Sequence, residues 1–165
     1  MTPDAFETLK QATAVFVQRP GTIAVIAQSK ADATRTVSHN ADVKLPSASV
    51  LKAAIACAAV DAAGLDLTHP IKRSDLDETF YCSILHAFDS DDTLTVKNLI
   101  GLMLIVSDNP ATTAILERVG MDTVNAWLHG NVMANTHIEV GFDDASLGAP
   151  LRANLTTAND CLTLL

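Results

Sequence analysis

The chain has 165 residues, and 19 Asp and Glu against 11 Lys and Arg give a formal net charge of −8. Hydrophobic residues make up 48% and charged residues 18%, which excludes a disordered tail and predicts a packed core. The length suggests one domain, or one domain and part of another. The acidic balance argues against a nucleic-acid-binding protein, because a phosphate backbone requires a basic surface.

Features that would indicate a membrane, a metal or an exported protein are missing from the sequence. The longest apolar stretch, residues 99–106, is too short to cross a bilayer, so no membrane partner is expected. The amino terminus lacks an export signal, which predicts a cytoplasmic location. Cys57, Cys82 and Cys161 have no C-x-x-C spacing and are predicted to be free, buried thiols. The five histidines form no metal-ligand pattern, so we predict no metal and no other cofactor.

Residues 1–44 predict a helix and a β-hairpin that belong to a sheet domain. Apolar positions recur at helical spacing over residues 4–18, and residues 19–21 end that segment. Residues 22–27 and 34–38 are β-prone and flank a polar turn, which predicts two antiparallel strands. An isolated hairpin is marginally stable in water, and no later segment predicts a strand. We therefore expect the hairpin to be part of an incomplete antiparallel sheet.

Residues 45–155 predict a mainly helical domain, and residues 156–165 the start of a helix that leads back to the sheet. Residues 49–63 are apolar on every face, which is typical of a buried helix, and Gly64 is predicted to end it. Further helices are predicted at residues 94–106, from Asn109-Pro110 to Val119, and from an Asp122 cap through Trp127, with loops at 65–92 and 130–154. The last helix has no stop signal before Leu165. We therefore expect a further C-terminal segment, or a second chain, to complete the sheet.

Lys52 is an unusual residue for the first turn of a buried helix. Loss of hydration and the positive end of the helix would both lower the pKa of its amine. Ser49 precedes it by three residues, so both side chains fall on the same side of the helix. A serine hydroxyl beside a basic amine is an activated nucleophile, and backbone N–H groups of that turn could receive an oxyanion. The alternative is a serine N-cap followed by a lysine that extends to solvent.

The tripeptide Ser107-Asp108-Asn109 lies between two predicted helices. Its hydroxyl could relay a proton to a leaving group, and its carboxamide could bind a substrate carbonyl. The alternative is that the tripeptide only ends one helix and begins the next, because Ser, Asp and Asn all favour turns and N-caps.

Together, Ser49-x-x-Lys52 and Ser107-Asp108-Asn109 resemble the motifs of the serine β-lactamase and penicillin-binding protein superfamily. The order of elements is also similar to the class A enzymes, from the first helix and hairpin to the final apolar helix. The resemblance covers essentially the whole chain. It implies an α/β fold of the β-lactamase/DD-peptidase type, represented by its helical domain and part of its antiparallel sheet.

The resemblance also implies a role for each site residue. Ser49 would be the acylated nucleophile, with its backbone N–H as half of the oxyanion hole, and Lys52 would be its base. Ser107 would assist proton transfer, and Asn109 would contact the substrate amide. Tyr81 falls where the family often has an aromatic residue that lines the cleft.

Two departures from the family pattern bear on the reaction. The third motif, Lys-Thr-Gly or a variant, does not occur in the chain. The loop at residues 139–154 contains no Glu-x-x-Leu-Asn, the family's source of a water-activating base. Asp143 or Asp144 could substitute, and the alternative is that these two adjacent acids are simply solvated. We predict a serine hydrolase that forms an acyl-enzyme with a small amide, ester or β-lactam. The alternatives are a transacylase that uses an amine in small-molecule biosynthesis, and a non-catalytic binding or sensor module.

Overall fold

The computed structural model describes residues 3–76, 83–142 and 153–164. In chain order, the elements are α1 (Pro3–Phe16), β1 (Val25–Ser29), β2 (Asp32–His39), β3 (Leu45–Pro46), α2 (Leu51–Asp61), β4 (Pro70–Lys72), β5 (Thr93–Thr95), α3 (Val96–Ile105), α4 (Asn109–Val119), α5 (Met121–Gly130), β6 (Leu155–Thr156) and α6 (Ala158–Leu162). Short 3₁₀ turns occupy Ala48–Val50, Arg73–Asp75 and Leu85–Ala87.

The strands form antiparallel pairs. β1 pairs with β2, with Ala27 opposite Val37, which confirms the predicted hairpin. The expectation that no later strand follows was wrong, because β3 pairs with β6 and β4 with β5. These four strands are two or three residues long and join distant parts of the chain, as in the pairing of Leu45 with Thr156. Segments this short leave no alternating pattern in the sequence.

Helix α2 lies at the centre of the core and packs against α3, α4 and α5. Its buried side chains include Leu51 and Ile55, which join Leu99 of α3 and Ile115 of α4 in one apolar cluster. This cluster fixes the first turn of α2 relative to the junction between α3 and α4.

The prediction that every face of α2 is buried was wrong, because one face of the helix is exposed. Cys57 is exposed and Val60 is 58% exposed, so an apolar stripe at helical spacing faces outward. The predicted burial of Cys57 fails for the same reason, although Cys57 and the half-buried Cys161 are both free thiols. Cys82 lies outside the described residues.

Several predicted helix boundaries also need correction. Residues 94 and 95 belong to β5 and residue 156 to β6, so α3 begins at Val96 and α6 begins at Ala158. Helix α2 ends at Asp61 because Ala62 is already extended, three residues before the expected stop at Gly64. Asp122 lies in the first turn of α5 and does not cap it, since Gly120, at φ +84°, both ends α4 and begins α5. A positive φ of this kind favours glycine. Because this single residue joins the two helices, no loop remains in which another residue could act as the cap.

The ends of the chain pack around the hairpin, where α1 contacts β2 and α6 contacts β1. Every helix in the described part of the chain falls short of the length and apolarity needed to cross a membrane.

Candidate active site

Lys52 lies at the start of α2, and its side chain is only 2% exposed. Its Nζ donates to the backbone oxygen of Ser107 at 2.6 Å and to Oδ1 of Asn109 at 2.7 Å. The same Nζ is 3.1 Å from the hydroxyl oxygen of Ser107. The structure therefore brings Lys52 of the first motif into contact with Ser107 and Asn109 of the second motif, although 55 to 57 residues separate them in the chain.

These three oxygens suit an amine that gains and loses a proton. A neutral amine has two N–H bonds, which match the two carbonyl oxygens, and a lone pair that can accept the Ser107 O–H. A protonated amine can donate to all three oxygens. The distance of 3.1 Å between Nζ and the hydroxyl oxygen of Ser107 is short enough for a proton to pass between them.

The turn that carries Ser107 and Asn109 is held by Asp108, which is fully buried. Its Oδ1 accepts the N–H of Ala111 at 2.9 Å and so caps α4. Its Oδ2 accepts the hydroxyl of Ser83 at 2.8 Å and the N–H of Ile84 at 2.9 Å. Asp108 therefore acts as the helix cap that the alternative interpretation predicts, while Ser107 and Asn109 contact Lys52.

Ser107 adopts a left-handed backbone conformation, with φ +59°. That region is uncommon for residues other than glycine and costs about 1–3 kcal/mol when the surroundings impose it. Here the surroundings are the Asp108 cap on one side and the contact between Lys52 Nζ and the Ser107 carbonyl on the other.

Ser49 lies in the 3₁₀ turn Ala48–Val50, immediately before α2, and its side chain is exposed. Because it precedes Lys52 by one turn, the exposed hydroxyl and the buried amine lie on the same side of the helix. The entry to this turn is fixed by Ser47, a buried residue whose N–H and hydroxyl both donate to the backbone oxygen of Asn154, at 2.9 and 3.2 Å.

Two residues near the site were missed by the sequence analysis. Phe142 is 8% exposed, and its ring centroid lies 5.0 Å from Nζ of Lys52. Asn154 is fully buried, and its Oδ1 accepts the N–H groups of Glu139 and Val140 at 2.8 and 3.1 Å. Both contacts join segments far apart in sequence, so no local pattern indicates them.

Three residues named from the sequence lie outside the described residues, namely Tyr81, Asp143 and Asp144. Among the described residues, no group of three or more His, Cys, Asp or Glu side chains could hold a metal ion. The described residues of the site bring together two hydroxyls, an amine and a carboxamide, from Ser49, Ser107, Lys52 and Asn109.

No curated protein matches the chain. Among solved structures, a β-lactamase from Sphaerobacter thermophilus is 24% identical, with a TM-score of 0.77 over 96% of this chain and 60% of that one. An ancestral class A β-lactamase (GNCA) is 25% identical, with a TM-score of 0.73 over 92% of this chain and 60% of that one. A PBP-A mutant, solved as an acyl-enzyme complex with penicillin G, is 23% identical, with a TM-score of 0.77 over 96% of this chain and 60% of that one.

The chain thus spans about 60% of the length of these solved structures. Their similarity confirms the predicted fold, a mostly helical β-lactamase-like domain with part of its antiparallel sheet. A family model described as the β-lactamase enzyme family matches residues 7–165, and the chain therefore belongs to the β-lactamase enzyme family.

Proposed function

We propose that this chain supplies the nucleophile and the base of a serine hydrolase that acts through an acyl-enzyme on a small amide, ester or β-lactam. The observation that carries the proposal is the buried amine of Lys52, one turn after Ser49 and in contact with Ser107 and Asn109. A buried lysine surrounded by acceptors and a hydroxyl is suited to proton transfer.

In the proposed reaction, Oγ of Ser49 attacks the substrate carbonyl carbon and its proton passes to Nζ of Lys52. The backbone N–H of Ser49 stabilises the resulting oxyanion as half of an oxyanion hole. The proton then moves through the hydroxyl of Ser107 to the leaving group, the bond to that group breaks, and an ester on Ser49 remains. Because Oδ1 of Asn109 accepts from Lys52, its Nδ2 is the group that would donate to a substrate carbonyl.

The comparisons support this proposal at the level of the family. The mutant of PBP-A that has the same fold was solved with penicillin G as an acyl-enzyme. The proposal transfers that type of intermediate to Ser49, which occupies the exposed turn next to the buried lysine.

We also propose that a further C-terminal segment, or a second chain, completes the sheet and the cleft. Among the described strands, β1 has β2 as its sole partner. Ile105 and Val106, immediately before Ser107, are 84% and 43% exposed, and large apolar side chains beside a reactive site favour a covering partner. Hydrogen exchange tests this proposal, since the free edge of β1 should become protected when the completing segment is added and would stay unprotected if the idea is wrong.

Acyl transfer to an amine is the second candidate function. It is favoured by Phe142 beside Lys52, together with the lack of a Glu-x-x-Leu-Asn sequence after residue 139. A water-activating base is not needed when the incoming nucleophile is an amine, because amines are much stronger nucleophiles than water.

The test is covalent labelling followed by intact-mass measurement. The purified chain is incubated with a fluorescent penicillin and, separately, with a fluorophosphonate, beside Ser49→Ala and Ser38→Ala. Ser38 is an exposed serine of β2 and serves as the matched control. We expect one adduct on the wild type and on Ser38→Ala, and none on Ser49→Ala. A folded wild type that forms no adduct with either probe, alone or together with the segment that completes the cleft, would contradict the acyl-enzyme and favour the binding module.

A further inference from the structure

We propose that Asn154 is a positioning residue for the nucleophile, because it holds the turn that carries Ser49 in a strained backbone conformation. Asn154 acts through Ser47 and not by contact with the substrate. This inference rests on the proposed acyl-enzyme, and it adds a residue on which the rate of attack by Ser49 depends.

The first argument is the contact between Asn154 and the turn. The N–H and the hydroxyl of Ser47 both donate to the backbone oxygen of Asn154, at 2.9 and 3.2 Å. The backbone oxygen of Ser47 in turn accepts the N–H of Val50 at 3.1 Å. Ser47 is 1% exposed, and its N–H, its hydroxyl and its backbone oxygen are all hydrogen-bonded. Ser49 therefore lies in a turn that is closed at Val50 and fixed to Asn154 at its other end.

The second argument is the strain between these two fixed points. Ala48 adopts a left-handed backbone conformation, with φ +43°. A residue other than glycine keeps this conformation only where its surroundings impose it. Here the bonds of Ser47 to Asn154 immediately precede the strained residue. Without them, Ala48 is free to relax to an ordinary conformation, and the direction of the Ser49 side chain then changes relative to Lys52.

The third argument is that the side chain of Asn154 is itself fixed. It is fully buried, and its Oδ1 accepts the N–H groups of Glu139 and Val140 at 2.8 and 3.1 Å. Its Nδ2 donates to the backbone oxygen of Val140 at 3.0 Å. An amide suits this place because it offers an acceptor and a donor together, whereas a carboxylate would set an oxygen against the Val140 oxygen. The amide thereby joins residues 139–140 to the turn before the nucleophile.

The alternative is that Asn154 only stabilises the fold, and Asn125 provides the comparison. The side chain of Asn125 exchanges two hydrogen bonds of 2.9 Å with the backbone of Ile138, in the same segment. Among the described residues, both of these side-chain bonds go to Ile138 and neither reaches the nucleophile turn. A purely structural role therefore predicts that replacing either asparagine changes stability and leaves the reaction of the folded protein unchanged.

The experiment measures acylation by penicillin in the folded protein, alone or together with the segment that completes the cleft. It separates the acylation rate constant from the dissociation constant of the non-covalent complex. We expect Asn154→Ala to lower the rate constant at least about tenfold and to leave the dissociation constant within about threefold, since a misplacement of about 1 Å can cost about 10²-fold in rate. Asn154→Asp keeps the acceptor but not the donor and should lower the rate constant at least about threefold. Asn125→Ala is the matched control and should stay within about twofold of the wild type.

A second measurement does not depend on the reaction. The amide hydrogen of Val50, which closes the turn, should exchange with solvent at least about tenfold faster in Asn154→Ala than in the wild type or in Asn125→Ala. Ser47→Ala removes one of the two bonds to the Asn154 oxygen, so it should slow acylation and speed this exchange even if the Asn154 variants fail to fold.

Equal acylation rate constants in folded Asn154→Ala and Asn125→Ala, or unchanged exchange at Val50, would overturn the positioning role. Faster exchange without slower acylation rejects this inference alone. If the wild type forms no adduct, alone or with the completing segment, the proposed function fails and the positioning role falls with it, so the two failures can be told apart.

Discussion

The buried carboxylate of Asp108 is the contact on which the turn between α3 and α4 depends. It accepts three hydrogen bonds, one from Ala111 in α4 and two from the segment that begins at Ser83. Replacement of this carboxylate should therefore weaken the whole fold and also displace Ser107 and Asn109 on either side of it.

The cost of Asp108→Ala follows from these bonds. Loss of the N-cap costs about 1 kcal/mol. The N–H of Ile84 loses its acceptor in a partly buried position, which adds about 1–3 kcal/mol, while the hydroxyl of Ser83 can turn to another partner. We expect the free energy of unfolding to fall by about 2–4 kcal/mol. Asp108→Asn keeps an acceptor for the cap and should recover about 1 kcal/mol of this loss.

The assay is urea-induced unfolding at neutral pH, with the rate of penicillin-adduct formation measured on the folded protein. Thr95→Ala is the matched control, because Thr95 caps a different helix, α3. Its Oγ1 accepts the N–H of Asn98 and donates to Oδ1 of the same residue, and the substitution should cost about 1 kcal/mol. If Asp108→Ala destabilises the protein no more than Thr95→Ala, or leaves the acylation rate unchanged, the assignment of Asp108 as the residue that holds the site is refuted.

Two further predictions concern the base and a surface carboxyl. Lys52→Met keeps the length of the side chain but removes the amine, so adduct formation should slow by about 10²-fold or more in a time course; an unchanged rate would exclude Lys52 as the base. The hydroxyl and N–H of Thr68 donate to Asp66 and lower the pKa of that carboxyl. This contact therefore favours the folded state above the ordinary carboxyl pKa, and the effect is lost as the pH falls through the lowered value. An NMR titration should show a higher pKa for Asp66 in Thr68→Val, and an identical pKa would contradict the assigned cause.

The features that the sequence predicts well are those set by local chemistry. The hairpin follows from two β-prone segments around a polar turn, and the start of α4 follows from Asp108 and Pro110. The pairing of the two motifs was expected from the family resemblance, since spacing alone says nothing about a contact across 55 residues. The catalytic roles assigned to these residues stay predictions until adducts are measured.

The features that could not be predicted are set by tertiary contacts. The strands β3 and β6 exist because residues 45 and 156 meet, and neither segment has a strand pattern of its own. The exposed stripe with Cys57 and Val60 depends on which side of α2 its neighbours leave open. The position of Phe142 depends on Asn154, whose side chain reaches across to Val140.

The backbone conformation of Ser107 bears on whether the tripeptide only separates two helices or also positions side chains for the proposed reaction. Among the described residues, four non-glycine positions have a positive φ, and two of them are Ser107 and Ala48, the residue immediately before Ser49. Glycine would adopt such a conformation without the steric cost that serine bears at position 107. A turn that served only to separate two helices would gain stability from glycine there. The strained serine supplies a hydroxyl 3.1 Å from the Lys52 amine, which is what the proposed proton relay requires and what glycine lacks.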